Sequence, residues 1–171
     1  ANRSKTGKPV VASIMDVFSE ECFEPEWNLI KLSKANWKNE LSSTHVDFLF
    51  VESAWRGNSG DWKYCLTKFS SLDGNPLRDL LLLCKDMEIP TVFWNKEDPP
   101  NFNVFSDAAT HFNFIFTTDE NCVDKYLSLK PDAKVSVLPF AAQPAIHNPS
   151  MRQHSKSRKV AFAGGWYGDK H

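Results

Sequence analysis

Apolar and polar residues alternate along this chain in blocks rather than one by one. The runs V-V-A-S-I-M at 10–15, V-D-F-L-F-V at 46–51 and T-V-F-W at 91–94 have the near-continuous apolar character of strands buried on both faces. Shorter runs of the same kind occur at 28–32, 114–117 and 135–140, with Pro139 closing the last. Between them stand segments with helix signals. Ser33 is placed to cap a short helix with Trp37 and Leu41 on one face. Asn75-Pro76 supplies a cap and a first-turn proline for a helix over 77–87, apolar around most of its circumference and hence a core helix. Asn101 opens another, with Phe102, Phe105, Ala109 and Phe112 in a core-facing stripe, and Thr118-Asp119 caps a last one whose Val123, Tyr126 and Leu127 face inward. The segment carrying Ser19, Glu20 and Glu21 has no apolar period and is expected to be a polar loop. This succession predicts an α/β fold: a Rossmann-like, mostly parallel sheet with helices on both faces and right-handed crossovers.

In such a sheet, ligands bind beyond the carboxyl ends of the strands. Asp16, Glu52, Glu97, Asp98 and Asp119 each follow directly on a strand run, so the fold would carry all five to one edge. The sharpest of these junctions is P-T-V-F-W-N-K-E-D-P-P at 90–100, where an apolar strand gives way to Lys96, Glu97 and Asp98 before two prolines end it. A solvated loop would explain one Glu-Asp pair, but the convergence of several acids on one edge points to a ligand-binding cleft. The loop S-A-W-R-G-N-S-G-D at 53–61 adds Trp55, Arg56 and two glycines. Arg56 there is suited to pair with an anion or a carboxylate, and a surface turn over a packed tryptophan is the competing reading.

Composition narrows the possibilities. The chain has 171 residues, 42% hydrophobic and 13% aromatic, enough for one domain with a proper core. Its 20 basic and 21 acidic residues leave a net charge of −1, so no strong field gathers nucleic acid or an anionic membrane. Cys22, Cys65, Cys84 and Cys122 are scattered without metal-ligand or disulfide spacing, and His111 has no partner at ligand spacing, so no metal site is expected. Cys84 and Cys122 lie in apolar helical patterns and should be buried. Scattered free cysteines, no signal peptide and no membrane-spanning run suggest a cytoplasmic protein, with peripheral membrane association left to parts beyond this chain.

The carboxy-terminal stretch is expected to be separate. Residues 141–157 contain Pro144 and Pro149 and suggest a linker, and V-A-F-A-G-G at 160–165 looks like the first strand of a second α/β domain. Gly164 and Gly165 could present backbone N–H groups to a diphosphate, though without a G-x-G-x-x-G pattern. The division is therefore 1–150 for a Rossmann-like domain and 151–171 for a linker and the first strand of a truncated second α/β domain.

Six stretches together resemble one family: M-D-V-F-S-E-E-C-F-E-P-E-W-N-L-I-K-L (15–32), V-E-S-A-W-R-G-N-S-G-D-W (51–62), F-W-N-K-E-D-P-P (93–100), F-T-T-D-E-N (116–121), V-L-P-F-A-A-Q-P-A-I-H-N-P (137–149) and V-A-F-A-G-G-W-Y (160–167). Their order is similar to the amino-terminal half of CgeB-like (spore-maturation-type) glycosyltransferases of GT-B architecture. The resemblance implies an acceptor-side domain that helps transfer a sugar from a nucleotide-sugar donor to a glycan or surface polymer. It implies catalytic roles for Glu97 or Asp98, and an acceptor cleft lined by Asp16, Glu52, Trp55, Arg56, Lys96, Thr118 and Asp119. The nucleotide-sugar is a co-substrate held by the missing domain, no cofactor is required, and this chain alone is expected to be inactive. The alternative is a non-catalytic flavodoxin-like or receiver-like binding module.

Overall fold

A computed structural model describes residues 7–148. In chain order the elements are β1 (Val10–Ile14), α1 (Val17–Phe23), β2 (Asn28–Lys31), α2 (Trp37–Ser43), β3 (Phe48–Glu52), α3 (Pro76–Asp86), β4 (Thr91–Asn95), α4 (Phe102–Ala109), β5 (Phe114–Thr117), α5 (Val123–Leu129) and β6 (Lys134–Val137). The six strands form one sheet in the order β2-β1-β3-β4-β5-β6, and every neighbouring pair is parallel. This is an α/β fold of Rossmann-like arrangement. The chain winds from β1 outward to β2, then returns across β1 to build β3 through β6 on the other side. The order thus reverses between β1 and β3, and the crevice of an open α/β sheet lies at such a reversal.

Alternation along the strands divides the core into two layers. Ala12, Ile14, Leu49, Val51, Phe93 and Ile115 point to one face, where they join Trp37 and Leu41 of α2, Leu77, Leu80 and Cys84 of α3, Phe105 of α4 and Tyr126 of α5. Val11, Phe50 and Trp94 point to the other, where Phe23 at the end of α1 and Trp27 stack at 4.2 Å and meet Phe50 edge-on. The larger layer has four helices over it and the smaller one only α1. Asn75 caps α3 as expected: its Oδ1 accepts from the Leu77 N–H, and its Nδ2 donates to the Cys65 and Phe69 carbonyls. Cys84 and Cys122 are fully buried, and burial pushes the Cys84 thiol up to about 12.

Three expectations need correction. The segment after Asp16 is helix α1, not a polar loop. Its buried positions are the polar Ser19 and Glu20, Glu20 being paired with Lys31 at 2.8 Å, while Val17 and Phe18 face outward. Apolar periodicity is inverted there, so the usual helix signal is missing. Helix α3 is not buried all round, since Leu82 is 60% exposed. The part of the expected linker that is described, residues 141–148, is attached to the domain: Gln143 is buried and its Nε2 donates to the Cys22 carbonyl and to Glu26 Oε1. The remainder of that linker, the strand at 160–165 and the Gly164-Gly165 pair lie outside the described residues.

The loop after β3 is fastened by Gly57 and Asn58. Gly57 has φ +56°, and a Cβ there would stand 2.9 Å from Ile14 Cγ2 and 3.1 Å from Trp62 Cβ. Gly60 has φ +105° but open space around it. Gly57→Ala should therefore lower unfolding stability by about 2–3 kcal/mol, combining left-handed strain with a core clash. Gly60→Ala should cost about 1 kcal/mol from strain alone. Denaturant midpoints of the two variants check this, and equal losses would refute the close-packing role of Gly57.

Candidate functional site

The carboxyl edge of the sheet carries two connected polar groups. The first spans the switch point. Glu52, the last residue of β3, is fully buried. Its Oε1 accepts from the Asp16 backbone N–H just beyond β1 and from Lys96 Nζ just beyond β4, the latter at 3.0 Å. Lys96 Nζ also reaches Asp16 Oδ2 at 3.3 Å, and the Lys96 N–H donates to Ser53 Oγ. The side chain of Lys96 is 13% exposed and that of Asp16 39%, so Asp16 forms the open side of the cluster. Glu52 Oε2 is buried and accepts no hydrogen bond among the described residues.

Two opposing effects act on each buried charge. Burial pushes the Glu52 pKa up, and the attraction and hydrogen bonds of Lys96 and the Asp16 amide oppose it without cancelling it. For Lys96, burial pushes the pKa down, but the attraction and hydrogen bonds of Glu52 and Asp16 outweigh it and leave it raised. The lysine is therefore charged at neutral pH.

The second group lies beside it, under the turn after β4. Asp98 Oδ2 accepts from Thr117 Oγ1 at 2.6 Å and from the Tyr126 hydroxyl at 3.1 Å, and Oδ1 accepts from Asn95 Nδ2 at 2.7 Å. Asn95 Nδ2 also donates to the Tyr126 hydroxyl, while Asn95 Oδ1 accepts the Glu97 N–H. Asp98 is buried, and burial raises its pKa despite these bonds. Every oxygen of its carboxylate is thus engaged in holding the turn. Glu97 is half-buried, on the outer side, with Oε2 accepting from Asn101 Nδ2 at 2.8 Å.

The residues expected to line one cleft are sorted by the structure into different positions. Asp16, Glu52 and Lys96 meet. Thr118 donates to the Asp98 carbonyl. Asp119 is occupied as a cap, accepting from the backbone and side-chain nitrogens of Asn121. Trp55 is 46% exposed and lies edge-on to Phe105, and Arg56 is exposed nearby. Trp94 is buried, with Nε1 donating to the Leu138 carbonyl.

Sequence reasoning missed Asn58. Its Oδ1 accepts the Met15 N–H, and its Nδ2 donates to the Ser13 and Leu32 carbonyls. It therefore clamps the chain exits of β1 and β2 from a loop that follows β3. Its place beside Gly57 was the only available signal. Asn95 and Tyr126 were legible as a strand end and an inward helix position, but their shared bonds to Asp98 were not. Among the described residues, no group of three or more His, Cys, Asp or Glu is arranged to hold a metal ion. No described helix is long and apolar enough to cross a membrane. No family model, no curated protein and no solved structure matches this chain.

The cluster predicts distinct outcomes for two changes at Glu52. Glu52→Gln keeps an oxygen for Lys96 and the Asp16 amide and should be within about 1 kcal/mol of wild type at pH 7. Glu52→Ala strands both donors and should cost about 3 kcal/mol or more. Because the folded pKa of Glu52 is raised, its contribution is fully present below the unfolded carboxylate pKa and falls as pH rises through the folded value. Glu52→Gln should flatten that decline in stability as pH rises above the unfolded carboxylate pKa of about 4.3. Urea midpoints against pH test this, and an unchanged slope would contradict the raised pKa.

Proposed function

We propose that this is the acceptor-side domain of a GT-B-type glycosyltransferase. Its carboxyl edge would hold a hydroxyl-rich glycan or surface-polymer acceptor, and a second α/β domain would present the nucleotide-sugar. The supporting observation is the half-buried Glu97 beside a lysine fixed between two acids at the switch point of a parallel sheet. Sugar hydroxyls both donate and accept, so an edge mixing open carboxylates, a fixed ammonium and an exposed tryptophan face suits them. Glu97 is assigned as the general base. It takes the proton of the acceptor hydroxyl while that oxygen bonds the anomeric carbon and the nucleoside diphosphate departs with the electrons of the broken bond. Asp98 is a positioning residue, because its carboxylate is committed to Asn95, Thr117 and Tyr126. The chemistry requires both domains, so a protein with only this one would bind acceptor without turnover. A nucleotide-sugar donor also agrees with a cytoplasmic reaction, at or away from a membrane.

A second reading is a non-catalytic flavodoxin-like binding module. It is favoured by the strand order β2-β1-β3-β4-β5, which is the flavodoxin-like order with its ligand crevice at β1/β3.

The discriminating experiment uses the full-length gene product with uridine and guanosine diphosphate sugars and a set of neutral oligosaccharide acceptors. Turnover that falls at least a hundredfold in Glu97→Gln, with the thermal midpoint unchanged, is the expected result. Asp98→Asn should instead shift the thermal midpoint, with a smaller effect on turnover. Wild-type turnover in Glu97→Gln would remove the assigned base. Oligosaccharide binding without turnover in any combination would favour the binding module.

A further inference from the structure

The opposite edge of the sheet carries a feature that the carboxyl-edge chemistry does not use. Where β4, β5 and β6 begin, a groove of about 650 Å³ opens between α3 and the starts of those strands. That volume lies within the range of small-molecule sites. Its floor is apolar: Leu81, Ile89, Phe69 and Phe114 line it, and Leu82 stands at its rim with 60% exposure. Asn113 closes the base, its Oδ1 accepting both the N–H and the hydroxyl of Thr91.

The rim has the opposite character. Three permanent cations, Arg78, Lys85 and Lys134, line the groove against one carboxylate, Glu88. This excess of positive charge arises in a chain whose net charge is −1. None of the three is ion-paired among the described residues. Lys134 Nζ lies over the Phe114 ring, 4.9 Å from its centroid, and Arg78 is oriented by donating Nη2 to the Leu72 carbonyl at 2.7 Å. The nearby Asp107 is engaged by the Ser70 hydroxyl and N–H, at 2.9 and 3.1 Å. His111 also lines the groove with its ring against Phe69. Burial lowers its pKa, so it stays mainly neutral at pH 7.

We propose that this groove is a second binding site, for a small amphipathic anion whose apolar body covers Leu81, Leu82 and Ile89 and whose carboxylate, phosphate or sulfonate head meets Arg78, Lys85 and Lys134. An apolar floor gives such a ligand its contact area, and unpaired cations beside a low-dielectric wall give it charge selectivity. A neutral apolar molecule would leave the cations unused. A bare inorganic anion would leave the floor uncovered. The site is independent of the carboxyl-edge reading, since the two lie at opposite ends of the strands.

The test uses 8-anilinonaphthalene-1-sulfonate, an aromatic monoanion, and its uncharged analogue N-phenyl-1-naphthylamine. Fluorescence titration of the wild-type chain should show one site for the sulfonate, at least tenfold tighter than for the neutral analogue and weakened by added salt. The double variant Lys85→Glu/Lys134→Glu changes two exposed side chains and should keep the fold, checked by circular dichroism, while weakening the sulfonate at least tenfold. The neutral analogue should be little affected by it. Amide NMR shifts on binding should centre on Leu82, Ile89, His111 and Asn113. Equal affinity in wild type and double variant, or shifts centred on Phe18 and Phe140 instead, would overturn the proposal. So would sedimentation with phosphatidylglycerol vesicles that the double variant loses while the sulfonate fails to bind, because that outcome assigns the cations to a lipid surface.

Discussion

A carboxylate at the centre of a parallel sheet cannot remain charged without a partner, and Glu52 stands in that position. It ends β3, the strand beside the switch point, and water does not reach it. The groups that compensate it come from the two neighbouring strands, the Asp16 amide from beyond β1 and the Lys96 ammonium from beyond β4. One buried side chain thus fixes three strand exits relative to one another. Replacing such a pair by apolar residues is often neutral or even stabilising, so the pair is weak evidence for stability as such. Its consequence is positional: Asp16 and Glu97 are held where the crevice of the fold lies.

The same dependence explains what was legible in the sequence. Apolar runs of four to six residues announced all six strands, their parallel packing and the edge on which Asp16, Glu52 and Asp98 would gather. Asn75-Pro76 announced the start of α3 for a local reason, a side chain capping its own helix. Helix α1 was hidden because its buried face is Ser19 and Glu20, whose burial depends on Lys31 in another element. Asn58 was hidden for the same kind of reason. Its three bonds reach Ser13, Met15 and Leu32, between 26 and 45 residues away in sequence. Local patterns carry no information about partners at that distance.

The Glu97-Asp98 pair shows how adjacent residues of like chemistry are separated by a turn. From sequence both were equal candidates for a base. In the fold, Asp98 turns inward to Thr117 and Tyr126, and burial raises its pKa, while Glu97 stays at the surface of the edge. Two prolines following the pair allow neither helix nor strand to continue, so the turn is held by the side chains of Asn95 and Asp98 rather than by a backbone ladder. The buried acid is the support and the outer one is the accessible group.

Parallel topology also sorts charge. Every strand exit lies at one edge and every strand entry at the other, so residues that cluster after strands never mix with those that cluster before them. Acids predominate after β1, β3, β4 and β5, and the cations Arg78, Lys85 and Lys134 surround the entries of β4, β5 and β6. In a chain that is nearly neutral overall, the acids at the strand exits and the three cations of the groove thus stand about a strand length apart. Fields of opposite sign at that separation partly cancel at a distance and act only close to the surface, within a Debye length of about 8–10 Å at ordinary ionic strength. Long-range steering is therefore a poor account of either edge. What each can select is decided at contact, by hydrogen bonds at the switch point and by an apolar floor under unpaired cations at the other end.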